Sequence, residues 1–232
     1  MIKAIDYFGY DSPFLRIKTH FSILARRKMY RRFVEICRPR PTDRVLDLGV
    51  TPDERLADSN LFEKLYPWKG QITAASVEDC SNIARRYGLN RFVCTRAGEP
   101  LPFGDREFDI LYCSAVLEHV GTREEQKAFL AECLRVADRV FLTTPNRAFP
   151  VEMHTFLPFV HWLPWPWFQK IAAPIHNGFW SDIHNLNILS RRDLRAMSDE
   201  IEIGAVRIWG MRSNLLVTRS ISPRARDDRN GL

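Results

Sequence analysis

Val45-Leu46-Asp47-Leu48-Gly49-Val50 is the stretch on which the reading of this chain turns. Its near-continuous apolar character describes a strand covered on both faces, as in a parallel sheet, not the alternating pattern of a half-solvated antiparallel one. The glycine that closes it lets backbone approach a ligand without a Cβ in the way. Asp47 sets one carboxylate on the same strand, where it can orient the turn.

Strand and helix signals alternate on either side of this stretch. Upstream, Phe21, Leu24, Ala25, Met29, Phe33 and Ile36 recur at helical spacing over residues 20–37, and Pro39 and Pro41 end the helix. Downstream, residues 58–66 read as a helix, 70–78 as a second strand, and 81–87 as a helix closed by Gly88. Residues 91–95 and 107–114 read as the third and fourth strands. Thr122 and Glu125 stand at capping-box spacing before a helix to Val136, and 139–144 is the fifth strand. Such alternation predicts an α/β fold: a Rossmann-like, doubly wound, mostly parallel sheet. Ser190–Met197 reads as a capped helix. Residues 201–209 and 214–219 read as a closing antiparallel pair, so the sheet should gain an antiparallel C-terminal strand.

Between these parts the pattern breaks. Residues 150–180 hold Trp162, Trp165, Trp167 and Trp180 with Phe156, Phe159, Phe168 and Phe179, and prolines at 158, 164, 166 and 174 forbid one continuous helix. The expected organisation is an N-terminal helical segment (1–40), a main domain (41–220) with an aromatic insertion (150–180), and a polar, disordered tail (221–232).

Composition narrows the function classes. The chain has 232 residues, 45% hydrophobic and 27% charged, which suits a globular protein. No apolar run approaches the roughly 18 residues of a membrane span. Residues 1–7 show no secretory h-region. Five scattered cysteines without a CxxC pair fit reduced thiols in a cytoplasmic protein and give no reason to expect a metal site. Net charge is +6, with Arg26, Arg27, Lys28, Arg31, Arg32, Arg38, Arg40 and Arg44 crowded together and Arg224, Arg226 and Arg229 in the tail. That stretch suits a solvated helix face, an anionic lipid surface or a phosphorylated acceptor. No nucleic-acid motif accompanies it, so nucleic acid is not an expected partner.

Three segments then fall in order: Val45–Val50, the acidic strand end Val77-Glu78-Asp79, and Phe108–Val120, which includes Ser114-Ala115-Val116-Leu117-Glu118-His119-Val120. This order resembles class I S-adenosylmethionine-dependent methyltransferases, specifically the type 11 methyltransferase-domain family. The resemblance implies S-adenosylmethionine as cofactor. Asp47 and Gly49 would lie at its methionine end. Glu78 would hold the ribose hydroxyls, with Asp79 as the alternative or as the cap of the next helix. Ser114 and Ala115 would line the cofactor. Where the family places an acid before Leu-Pro-Phe, this chain has Ala97 ahead of Leu101-Pro102-Phe103, so the adenine contact falls to backbone at Ala97 and Gly98, or to Glu99. The family's Gly-x-Gly-x-Gly loop is here Gly49-Val50-Thr51-Pro52-Asp53, with one glycine left.

Methyl transfer needs alignment and, at most, removal of a proton, so no metal is required in principle. His154 and His119 are the candidate catalytic residues. Glu152 stands two positions before His154, at the spacing that brings side chains together on extended chain. The aromatic segment reads as a lid on an apolar acceptor pocket, a bilayer-seating surface, or the core of a small subdomain. The expected acceptor is a small molecule or lipid-linked compound. The expected location is the cytoplasm, with peripheral contact to the inner face of a membrane. The single-glycine loop keeps a second reading open, a catalytically inactive methyltransferase-like binding protein. A nucleotide-dependent oxidoreductase is disfavoured because GxGxxG is missing.

Overall fold

β1 (Val45–Leu48) lies between two parallel partners, with Val45 in register with Ile72 of β2 (Ile72–Ser76) and with Ile110 of β4 (Phe108–Ser114). The computed structural model describes residues 13–219; the expected disordered tail and its arginines lie outside the described residues. The sheet has seven strands in the order β3-β2-β1-β4-β5-β7-β6, completed by β3 (Arg91–Cys94), β5 (Ala137–Pro145), β6 (Ile201–Ile208) and β7 (Met211–Arg219). Strands β1 to β5 are mutually parallel, and β7 pairs antiparallel with both β5 and β6. This is the α/β, Rossmann-like, mostly parallel sheet with an antiparallel C-terminal strand.

Alternation along each strand builds two cores. Leu46, Ala75, Leu111 and Leu142 face one layer with Leu130 and Leu134 of α4 (Arg123–Val136) and Leu194 of α6 (Arg191–Arg195). Val45, Ala74, Ile110, Tyr112 and Phe141 face the other. There they meet α1 (Pro13–Cys37), α2 (Leu61–Leu65) and α3 (Ser81–Tyr87). Thr122 and Glu125 form the capping box expected at the start of α4, and Ser190 and Asp193 form another at α6.

Several boundaries differ from expectation. α1 starts at Pro13, well before residue 20. α2 covers only Leu61–Leu65, because residues 51–60 form an irregular loop ending at Asn60 in the left-handed conformation (φ 49). β2 stops at Ser76, so Glu78 and Asp79 lie beyond the strand. The aromatic segment forms one short helix, α5 (Trp165–Ala172), and a small core of its own in which Phe168, Ala172, Trp180 and Leu186 are buried.

Phe33 ties α1 to the sheet. Fully buried, it makes edge contacts with Phe62, Tyr66, Tyr112 and Phe141 at centroid distances of 5.3, 6.2, 5.4 and 5.6 Å. Edge-to-face geometry is the favoured arrangement for such rings. Phe33→Ala should lower unfolding free energy by about 3–5 kcal/mol, the range for removing a buried ring. Urea denaturation of the parent and variant measures it, and a loss below about 1 kcal/mol would show that α1 is not anchored there.

Candidate active site

Gly49 leaves β1 at φ 98, a conformation that side chains disfavour, and donates its N–H to Ala75 O at 2.8 Å. A Cβ built on Gly49 would stand 2.1 Å from Cγ2 of Val116, the second residue after β4. The turn is thus wedged between the ends of β2 and β4, and only glycine fits.

The rest of the loop has no further glycine and is held by side chains. Asn60 Nδ2 donates to Thr51 O at 2.9 Å, and Thr51 N donates back to Asn60 Oδ1 at 3.3 Å. Asn82 Nδ2 donates to Pro52 O at 3.3 Å, and the Tyr87 hydroxyl donates to Glu54 at 2.6 Å. Sequence reasoning missed this clasp. The only sequence signal for it is an asparagine placed one residue before a helix.

Loop, β1 and α1 enclose a cleft of about 250 Å³. Asp47, Asp53, Asp58, Glu63 and Glu78 line it against a single base, Arg26. Arg26 Nε lies 3.6 Å from Asp58 Oδ2, which also accepts the Ser22 hydroxyl. Asp58 Oδ1 and Glu63 Oε1 are buried without a hydrogen-bond partner among the described residues. Burial, and then the charge of Glu63, push the Asp47 carboxyl well above the usual range. Burial likewise raises Glu63. Two carboxyls so close and dry each disfavour the other's ionisation.

A second cavity, about 340 Å³ and largely apolar, adjoins the first. Arg26, Leu56, Asp58, Ser114 and Ala115 border both. Phe21, Ala25 and Met29 of α1 wall one side, Phe149, Val151, Met153 and Phe156 another, and Ile208 and Trp209 the β6–β7 hairpin side. Glu118 and His154 also line it. The expected lid of aromatics 156–180 is therefore replaced: among the described aromatics of that segment only Phe156 lines the cavity, because Trp165, Phe168, Phe179 and Trp180 belong to a separate small core and Phe159, Trp162 and Trp167 are exposed.

The two histidines converge. Their ring centroids lie 4.9 Å apart, edge to face, and Trp180 lies 5.7 Å from His119 and 4.8 Å from His154. His154 Nδ1 meets Glu152 Oε1 at 2.6 Å, and His119 Nδ1 meets Asn185 O at 2.6 Å. Burial would raise Glu152, but His154 and the backbone N–H groups of His154 and Thr155 outweigh it and hold the carboxyl at about 2. Burial, and next the His154 charge, push His119 down to about 4, and burial pushes Glu118 up to about 6.

Of the residues expected at the cofactor, Asp47, Gly49, Glu78, Ser114 and Ala115 line the acidic cleft. Asp79 does not: it is exposed and its Oδ1 accepts the Ser81 N–H at 2.9 Å at the start of α3, as a helix-start residue does. Ala97 and Gly98 do not line it either. They lie on an exposed turn after β3, the sheet's edge strand, two strands removed from the Gly49 turn.

Residues 68–139 match the family model described as a methyltransferase domain. No curated protein sequence matches the chain. Among solved structures, PH0226 protein from Pyrococcus horikoshii OT3 is 13% identical with a TM-score of 0.54, the match covering 93% of this chain and 95% of that one. Magnesium protoporphyrin IX methyltransferase (ChlM) from Synechocystis PCC 6803, solved with bound SAH, is 14% identical with a TM-score of 0.54, covering 92% and 91%. N-methyltransferase NodS from Bradyrhizobium japonicum WM9, also solved with SAH, is 10% identical with a TM-score of 0.50, covering 92% and 90%. At such identities the likeness speaks for the fold. The shared fold and the partial family match make the chain similar to class I methyltransferases. The cofactor that this likeness implies is S-adenosylmethionine.

The cleft suits that cofactor, whose ammonium and sulfonium are cations and whose ribose offers two hydroxyls. The acids Asp58 and Glu63, with buried oxygens left unpartnered among the described residues, fit such a ligand.

The raised pair has a measurable sign. A carboxyl with a raised folded pKa adds stability that is full below its unfolded value, about 4, and is lost as pH climbs through the raised value. Asp47→Asn keeps a donor toward Glu63 and removes that loss. It should melt at or above the parent at pH 8, with the difference shrinking toward pH 5. Scanning fluorimetry across pH 5–8 checks it, and a deficit that grows with pH would contradict the raised Asp47 carboxyl.

Proposed function

We propose that this methyltransferase acts on an apolar or amphiphilic small molecule, a lipid-linked one in the fuller form of the reading, seated in the second cavity. One observation carries the proposal: an acid-lined cleft and an apolar cavity meet at Ser114–Ala115. The cationic cofactor suits the first and a greasy acceptor the second, with the methyl group at the junction.

Individual roles follow from position. Glu78 accepts hydrogen bonds from the ribose hydroxyls, the Gly49 turn and Asp47 face the methionine end, and Ser114 and Ala115 flank the methyl group. Asp79, Ala97 and Gly98 have no part in this set. When bound, S-adenosylmethionine would supply an electrophilic methyl group to the acceptor's oxygen or nitrogen and would leave as the neutral thioether. The proton on the attacking oxygen or nitrogen passes to His154 Nε2, while Glu152 holds the other ring nitrogen. His119, tied to Asn185 O, positions His154 across their edge-to-face contact.

Exposed apolar groups support a lipid surface at the cavity mouth. Trp209 is 72% and Met211 43% exposed at the tip of the β6–β7 hairpin, and Trp209 stacks edge-on to Phe21 of the cavity wall at 4.7 Å. Lys28 joins that hairpin by a bond to Arg207 O at 2.9 Å, beside exposed Arg27 and Arg31. Among described residues no helix is long and apolar enough to cross a membrane. Tryptophan beside basic side chains favours the interface instead.

Glu78→Ala should weaken S-adenosylhomocysteine binding roughly tenfold to a few hundredfold, through loss of charge-assisted hydrogen bonds. Asp79→Ala should leave it unchanged. Calorimetric titration decides, and the opposite ranking would move the ribose contact by one residue. Binding without transfer to any acceptor in a lipid extract would favour the inactive binding protein.

Trp209→Ser should reduce sedimentation with vesicles containing phosphatidylserine several-fold while leaving S-adenosylhomocysteine affinity intact. Equal sedimentation of parent and variant, or none by the parent, would remove the lipid surface from the reading.

A further inference from the structure

We propose that Glu118, His119 and His154 form a binding site for one divalent transition-metal ion at the polar end of the acceptor cavity. The three side chains each bring one ligand atom, and all three atoms lie within 4.8 Å of one another. Glu118 Oε1 and His119 Nε2 are 3.9 Å apart. Ligand atoms around an ion with bonds of about 2.1 Å stand roughly 3.3 Å apart, so the site closes by small side-chain shifts.

The hydrogen bonds around the cluster set its chemistry. His119 Nδ1 faces a carbonyl oxygen, Asn185 O, which can only accept, so that nitrogen carries the proton and a neutral ring presents the lone pair of Nε2. His154 Nδ1 faces the Glu152 carboxylate, which likewise leaves Nε2 as the outward lone pair. A histidine whose far nitrogen is held by a carboxylate or a backbone carbonyl is the common support of a metal ligand. Glu152 in turn accepts the N–H of Thr155 and its hydroxyl, the latter at 2.7 Å, so the support is itself fixed.

Glu118 supplies the independent indication. It is fully buried, and its Oε2 accepts the Thr144 hydroxyl at 2.9 Å. Its Oε1 has no hydrogen-bond partner among the described residues. A buried carboxylate oxygen left without a donor is costly, and a cation facing two imidazole nitrogens resolves that cost. Two histidines and one carboxylate, with no thiolate, suit Zn²⁺, Mn²⁺, Fe²⁺ or Co²⁺ and leave coordination positions open on the cavity side.

Glu118 and His154 both line the acceptor cavity, so those positions open toward the acceptor. An acceptor oxygen or nitrogen bound there is oriented toward the Ser114–Ala115 junction, and its proton then leaves to water instead of to His154. Only this use of the ion rests on the methyl-transfer reading. The binding itself does not.

The test uses the full chain, stripped with a chelator, without cofactor or acceptor. Titration with Co²⁺, followed by visible absorption, and with Zn²⁺, followed by calorimetry and metal analysis, should give one equivalent per chain. Glu118→Gln and His119→Ala should each weaken binding by at least tenfold, and Glu152→Gln about 10–100-fold as a loss of support to His154. Exposed His184→Gln is the control and should bind like the parent. Metal-free Glu118→Gln removes an unpartnered buried charge and should melt no lower than the metal-free parent, which separates lost ligation from lost folding. A parent chain that takes up no divalent ion at micromolar concentration overturns the proposal. So does an ion that still binds in both Glu118→Gln and His119→Ala.

Discussion

The close passage of the Gly49 turn beneath Val116 is the constraint from which the site takes its shape. A Cβ at Gly49 would meet Val116 Cγ2 at 2.1 Å, so the turn sits as deep between the ends of β2 and β4 as a chain can. That depth brings Asp47 and Gly49 into one cleft with Ser114 and Ala115 from the neighbouring strand end. A larger residue at 49 would push the two strand ends apart and separate the acidic cleft from the apolar cavity. The family pattern that this loop resembles has two further glycines. Here the Asn60 clasp on Thr51 does the holding instead, so one glycine suffices where close approach is at stake.

The two cavities differ in electrostatic character for reasons visible in the packing. The first is roofed by the loop and by α2, which bring Asp58 and Glu63 to face Asp47. The second is walled by the apolar side of α1, the chain after β5 and the β6–β7 hairpin. α1 takes part in both through Arg26 and Ser22, which neutralise and hold Asp58. The N-terminal helix is therefore part of the site's wall as well as part of the core, with Phe33 anchoring it among the sheet's aromatic rings.

The aromatic segment divides its residues between three tasks. Phe168 and Trp180 make a small separate core. Trp180 also stands against His119 and His154. Phe159, Trp162 and Trp167 remain 55%, 48% and 60% exposed on the surface. Of the three sequence readings, lid, interface and packed core, the packed core describes the buried members, and the lid does not describe the observed lining.

The sequence by itself determined the existence of the parallel strands, the capped helices and the glycine turn. Those depend on local pattern: doubly buried strands read as apolar runs, and caps and turns are written within four residues. Glu78 was placed on the cleft by the same logic, since a strand end in a parallel sheet points where ligands bind. Tertiary structure decided the rest. Ala97 and Gly98 fall away from the cleft because β3 is the edge strand, and strand order cannot be read from local pattern. Glu63 was not foreseen because its role exists only where α2 lays it against Asp47. Glu118, His119 and His154 carry no metal-site spacing in the sequence. They meet because β4 and β5 pair in parallel and the chains leaving both strands return to the same end of the sheet. Contacts made across such distances depend on packing that no short stretch of residues specifies.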